Sequence, residues 1–293
     1  MGLTTKRRDL LTLTAPVTRA EAIEFAGIAI NNPEDLSDRA PIHWGVKWQR
    51  AHDKFMTFMK TGVPQWEIFV EGNSKLKFWQ FSTLPKVTCP GAGDCLKWCY
   101  SFKAWRFADA YFRQLQNTIL VLRKSKYIRQ AFMALPADVT VRLYVDGDID
   151  SIETLEFWFG LMSDRIDLQC YGYSKSWAVF LEYADSGKTW PTNYMLNLSA
   201  GSLYSGRVRA QMEALPIVRG EFVAVPAPFK MPNRRDTPDT WTAWARVVKE
   251  SARKLGYAKS FVCPGKCYDC LPSDGHACGS WKFKSIPVVI GIH

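Results

Sequence analysis

The sequence predicts an α/β protein built on a complete or partial β/α (TIM-like) barrel with an N-terminal extension. Three observations predict it. Short β-rich runs alternate with longer stretches of helical periodicity, and six such units precede a closing apolar run at 286–292; alternation of this kind implies parallel βαβ units. The length of 293 residues suits one large domain or two modest ones, at about 100 to 200 residues each. A hydrophobic content of 47% is globular and excludes disorder, collagen-like repeats and mucin-like stalks.

The elements follow in order. A mixed, tryptophan-containing segment, 1–75, is expected to be an extension packing on the core, and 76–293 the barrel-like domain. A strand is expected to end at 87–89, followed by a helix over 105–135 in which Ala108, Phe112, Leu115, Ile119 and Leu122 recur at helical spacing. The β-branched run 139–145 leads to Gly147. Asp150 with Glu153 then forms a capping-box pattern that opens a helix carrying Ile152, Leu155, Phe159 and Met162 on one face. Further strands are expected at 166–171, 194–198, 222–225 and 260–263, with helices near 177–184, 207–215 and 241–255. In such folds the site gathers at the carboxyl ends of the strands. That rule selects Cys89, Asp146, Asp148, Ser174, Lys175, Asn197, Ser199 and Cys263, with His293 ending the last strand.

No apolar run approaches the roughly 20 residues of a spanning helix, and the N-terminus lacks a secretory apolar region. A soluble, cytoplasmic protein with no membrane partner is expected. In a reducing compartment, cysteines are used for metals or catalysis rather than disulfides. Seven of the eight are grouped: Cys89, Cys95 and Cys99 as C-x5-C-x3-C, and Cys263, Cys267, Cys270 and Cys278 as C-x3-C-x2-C-x7-C. Each group opens on Cys-Pro-Gly, a turn that presents backbone N–H groups to sulfur. Such spacing lets thiolates converge on one centre, and soft sulfur ligands select zinc or iron–sulfur clusters. The second group, with His276 nearby, offers more ligands than tetrahedral zinc needs, so zinc is an alternative there. The first has three thiolates and no near histidine, which suits a 4Fe-4S cluster with one open iron. Cys170 alternates with Ile166 and Leu168 and reads as core.

The stretches TCPGAGDCLKWCYSF (88–102), VRLYVDGDIDSIETLEFW (141–158), YGYSKSW (171–177) and NLSAGS (197–202), followed by a cysteine-rich tail, resemble the phage gene product 88 family. The resemblance covers roughly 75–293 and is most specific in the CPGAG-x-C-x3-CY block and the Gly147-Asp148 pair. It implies an iron–sulfur protein on a fold similar to radical S-adenosylmethionine enzymes, working in the host bacterial cytoplasm, with no established reaction. The chain departs from the radical-enzyme pattern. Phe102 stands where the third cysteine of C-x3-C-x2-C would follow Cys95 and Cys99, and no Gly-Gly-Glu segment follows the second strand. S-adenosylmethionine is therefore not the favoured cofactor.

Asp148 either anchors a ligand amine or accepts a proton as a catalytic group, or only shapes its turn. Lys175 either holds an anion at a helix N-terminus or is a solvated lysine. Asn197 and Ser199 are cofactor-binding candidates. Lys and Arg total 38 against 28 Asp and Glu, and Arg113, Arg123, Lys124, Lys126 and Arg129, with Arg234 and Arg235, supply a phosphate-attracting face if they are free. The expected function is a redox or radical-type role at the barrel mouth with one or two 4Fe-4S clusters. The alternative is a non-catalytic metal-stabilised module that binds nucleic acid or a host protein.

Overall fold

The computed structural model describes residues 44–72, 78–85, 88–95, 99, 101, 107–204, 206–267, 269–270 and 276–292. The first 43 residues of the expected extension, the 86–87 part of the expected first strand, the start of the helix expected at 105, and His293 lie outside the described residues. The strands are β1 (Trp79–Gln80), β2 (Thr140–Leu143), β3 (Gln169–Ser174), β4 (Tyr194–Ser199), β5 (Val218–Pro226), β6 (Phe261–Val262) and β7 (Val288–Ile292). The helices are α1 (Trp44–Thr61), α2 (Ala108–Leu122), α3 (Lys126–Met133), α4 (Ile152–Asp164), α5 (Trp177–Asp185), α6 (Gly206–Glu213) and α7 (Pro238–Lys254).

The strands form one sheet in the order β1-β2-β3-β4-β5-β7-β6, and every neighbouring pair is parallel. From β1 to β5 each strand adds beside the last. Right-handed crossovers in an unreversed order place successive helices on one face, as in a barrel and unlike a doubly wound sheet. A closed barrel is not formed: among the described residues the sheet is open. Two features account for that. Val70 occupies the outer edge of β1 through an antiparallel bridge to Gln80, with N···O distances of 3.1 and 2.9 Å, and β7 inserts between β5 and β6, which ends the regular progression.

The helix-covered face carries the main core. Val141 and Leu143 of β2, Cys170 of β3, and Tyr194, Leu196 and Leu198 of β4 pack against Leu115 and Ile119 of α2, Phe132 of α3, Trp158 and Met162 of α4, and Phe180 of α5. Phe55 and Phe58 of α1 join the same core, because Phe55 stacks on Phe112 with ring centroids 5.2 Å apart. Val223, Val225 and Val289 pack against Trp244, Val248 and Ala252 of α7, whose four-residue spacing sets one helix face on the sheet. The opposite face is covered by the 276–283 segment, so both sides of the parallel sheet are buried.

Local chemistry moved several boundaries. The helix expected over 105–135 is two helices. The chain turns at Lys124, with φ +49°, and Ser125 caps α3 by accepting from Tyr127 N. Ser151 rather than Asp150 caps α4, its hydroxyl accepting from Thr154 N. The expected strand at 166–171 lies later, at β3, and Ile166 is exposed. The first strand is β1, well before Cys89, which lies in a loop.

Cys170 is fully buried, and burial pushes its thiol up to about 12. Only about one molecule in ten thousand then carries the reactive thiolate at pH 8. The expected outcome is that iodoacetamide leaves Cys170 unmodified in the native protein and labels it after denaturation, read by peptide mass spectrometry. Native labelling at pH 8 contradicts the core assignment.

Candidate metal centre

All of the cysteines are free thiols. Cys170 lies in the main core, and the other seven occupy two places.

The first place is a loop, 88–95, laid across the ends of β2, β3 and β4. Gly91 is needed because a Cβ there would stand 1.6 Å from the carbonyl oxygen of Lys175. Leu203 N donates to Gly91 O at 3.1 Å and Gly93 N to Gly201 O at 3.0 Å, so the loop forms a short antiparallel contact with the chain after β4. Gly147, at φ +82°, is the second obligatory glycine: a Cβ would lie 2.0 Å from Thr83 Oγ1 and 2.7 Å from Thr88 Oγ1. The four stretches that carry the family resemblance are therefore packed on one another.

Asp148 is the knot between them. It is buried, and its Oδ1 accepts from Ser174 Oγ and Ile149 N, both at 2.7 Å, while Oδ2 accepts from Lys175 N at 2.7 Å. Its own N–H donates to Thr88 Oγ1 at 3.2 Å. Burial raises the carboxyl pKa, opposed by the Lys175 N–H and the Ser174 hydroxyl. Lys175 extends beyond this knot, and its Nζ donates to Ser199 Oγ at 2.7 Å.

Cys95 is buried beside these groups. Burial raises its thiol, and the Lys175 charge and the Gly93 N–H work the other way. Cys99 responds similarly, raised by burial and favoured as thiolate by Ser101. Asp146 bears on Cys99; its carboxylate accepts from Gln114 Nε2 at 3.0 Å, and burial raises its pKa. Cys89 is half-buried, between Thr88 and the Pro90-Gly91 turn.

The second place lies on the sheet face opposite the helices. Cys263 follows β6, and Cys267, Cys270 and Cys278 pack with it against Tyr171, Tyr173, Met195 and Val288. The sulfurs are electrostatic neighbours, since the Cys278, Cys270 and Cys267 thiols all bear on Cys263. Burial raises the Cys263, Cys270 and Cys278 thiols, yet each meets a donor. Gly265 N donates to Cys263 Sγ at 3.4 Å. The Ala277 N–H serves Cys270, and the Tyr173 hydroxyl serves Cys278. Arg234 Nη1 and Arg235 Nη2 bind the Asp269 carbonyl at 3.0 Å and its carboxylate at 2.6 Å, tying the cysteine loop to the segment before α7. Among the described residues no three Cys, His, Asp or Glu side chains are already grouped tightly enough to hold a metal ion.

Inward-pointing side chains of the strands hold this cysteine segment by its carbonyls. Asn197 Nδ2 donates to Cys278 O at 2.9 Å and Gln169 Nε2 to Gly279 O at 3.1 Å. The structure thus places Asn197 against protein backbone and Ser199 against Lys175. His276 packs between Phe78 and Tyr171, with centroids 5.4 and 4.7 Å away, and burial lowers its pKa to about 4.

Sequence reasoning missed Arg219 and Tyr173, both of which face Cys278. Arg219 left a signal, as a cation between Val218 and Gly220 at the start of a largely apolar strand. The basic residues picked out by charge are largely engaged within the chain. Arg113 is drawn in towards Asp146, Asp109 and Glu67, Lys124 Nζ donates to Thr154 Oγ1, and Arg129 pairs with Asp164 at 2.9 Å.

A family model described as gene product 88 matches residues 58–280, a span that includes all of the cysteines. No curated protein and no solved structure matches the chain. No helix among the described residues is long and apolar enough to cross a membrane.

Proposed function

The chain belongs to the gene product 88 family, and from that premise we propose that it is a phage iron–sulfur protein with a redox role, its principal 4Fe-4S centre held by Cys263, Cys267, Cys270 and Cys278. The observation that carries the reading is the collection of four free thiols on one sheet face, Cys278 buried and the other three half-buried, with the Gly265 N–H, the Ala277 N–H and the Tyr173 hydroxyl turned to sulfur. Neutral thiols do not require such donors, whereas thiolates bound to a metal are stabilised by them. The donor set therefore fits a four-thiolate centre, and the sulfurs would draw together on binding.

A bound cluster of this type supplies one-electron chemistry. The chain's contribution is burial, fixed N–H donors, and the Asn197 and Gln169 contacts that fasten the segment carrying Cys278. Four ligands leave no open iron at this centre, which favours electron transfer or stabilisation over radical chemistry. Cys89, Cys95 and Cys99 are proposed as a second thiol site, with Lys175 as its local cation and Asp148 as the residue that positions Lys175. Asp148 is a poor proton acceptor for substrate, because both of its oxygens already serve the fold.

Anaerobically purified protein is expected to be brown and to contain iron and acid-labile sulfide in roughly equal amounts. Cys278→Ala is expected to lower both, whereas Cys170→Ala keeps them and costs on the order of 1 kcal/mol of stability. Stoichiometric zinc without sulfide overturns the iron–sulfur reading in favour of a zinc-stabilised module.

A further inference from the structure

Arg219 is fully buried at the start of β5. Its Nε donates to Asn197 Oδ1 at 2.6 Å, Nη1 to Phe283 O at 3.0 Å and Ile286 O at 2.8 Å, and Nη2 to Glu221 O at 2.9 Å. All of these acceptors are neutral. The carboxylate of Glu221 turns instead to Arg209, 3.2 Å away, and among the described residues no ion pair is formed between Arg219 and an acid. A guanidinium stays charged in a protein, and a buried cation without a counter-charge is strongly disfavoured. Asn197 joins Arg219 to the cysteine segment, accepting from Arg219 Nε and donating to Cys278 O at 2.9 Å, and the ionisable groups whose charge bears on Arg219 are Cys278 and Tyr173. Arg142 of β2 lies over the Tyr173 ring, 4.6 Å from its centroid, and also bears on Cys278. The charges of two cations therefore bear on one buried thiol.

We infer that Arg219, seconded by Arg142, is the built-in counter-charge of an anionic centre at Cys263, Cys267, Cys270 and Cys278, and sets its charge preference without touching the metal. The inference rests on the proposed four-thiolate site. Coordinating thiols are deprotonated, so the sulfur centre carries net negative charge. The fixed guanidinium then favours retention of that centre and, for a redox metal, favours the more negative, reduced state. Arg219 is in this sense a positioning and tuning residue; its hydrogen bonds to Asn197, Phe283 and Ile286 also hold the segment beside the sulfurs.

The test uses the full chain purified anaerobically, with Arg219→Gln, Arg219→Lys and Arg142→Gln variants. Midpoint potential and the rate of metal loss to EDTA are measured, with circular dichroism as the check on folding. Arg219→Gln is expected to lower the potential and to speed metal loss about tenfold, the ratio that corresponds to about 1.4 kcal/mol. Arg219→Lys is expected to keep most of both properties, and Arg142→Gln to move both in the same direction by less. If the wild-type centre proves to be zinc, the rate of metal loss alone decides. Unchanged potential and loss rate in a folded Arg219→Gln protein overturn the inference while leaving the four-cysteine site standing. Should that variant not fold, an unchanged Arg142→Gln protein overturns it. A Cys278→Ala protein with the same metal content as wild type removes the site and the inference together.

Discussion

Replacing Gly91 with alanine is expected to lift the 88–95 loop off the carboxyl edge and to destabilise the protein by more than about 4 kcal/mol, beyond ordinary overpacking. The added Cβ would fall 1.6 Å from the Lys175 carbonyl oxygen, and that atom cannot retreat by a rotamer change. The peptide carrying that oxygen is held by the Ser176 N–H bond to Ser174 Oγ at 2.9 Å, the peptide before it by the Lys175 N–H bond to Asp148 Oδ2, and α5 begins two residues after Lys175. The loop must move instead. It then loses the Leu203 N to Gly91 O and Gly93 N to Gly201 O bonds and exposes Cys95, which is only 8% exposed in the native protein. Urea unfolding gives the stability, and the rate of Cys95 alkylation in the folded state gives the loop displacement. Gly160→Ala is the control. It lies within α4 with nothing within 4 Å of a built Cβ, and a helix-interior exchange of this kind is expected to stabilise by about 0.5–1 kcal/mol. A Gly91→Ala protein as stable as wild type, with Cys95 still protected, contradicts the packing described at this edge.

Asp148→Ala is expected to destabilise by about 3–5 kcal/mol, the range for removing one member of a buried polar network. Three buried donors lose their acceptor: the Ser174 hydroxyl and the Ile149 and Lys175 N–H groups. Asp148→Asn keeps the shape and part of the acceptor capacity, so it is expected to retain more than half of what the alanine variant loses. Thermal or urea unfolding separates the two variants. The alanine variant is also expected to loosen Lys175 and, through it, the environment of Cys95, readable as faster alkylation. A loss within about 0.5 kcal/mol, the scale of a neutral surface change, would falsify the view of Asp148 as a structural knot.

How far the sequence could be read depended on the range of the forces involved. Apolar spacing located α4 and α7, because one buried helix stripe leaves a pattern in the chain: Leu155, Phe159 and Met162, then Trp244, Val248 and Ala252. The break at Lys124 and the cap at Ser151 were local too, yet they were overridden by the apolar continuity from Ala108 to Leu135 and by the neighbouring Asp150-x-x-Glu153 pattern. At the site, cysteine spacing separated the two groups. It could not show that Gly91 faces Lys175, since the two residues meet only after three strands have been set side by side.

By itself the sequence determined the α/β alternation, the membership in a cysteine-rich family, and the positions of Asp146, Asp148 and Lys175 just beyond strand ends, since all of these follow from short-range patterns. Tertiary structure alone decided whether the sheet closes. Val70 bridges the free edge of β1 and β7 enters between β5 and β6, and both are pairings between segments whose spacing carries no register signal. It also decided what fills the inner face. A chain whose strands bury Asn197 and Arg219 must satisfy those groups, and the carbonyls of Cys278, Phe283 and Ile286 do so from the far end of the sequence. Buried polar groups require partners, but composition and spacing do not say which partners; only the folded neighbourhood does.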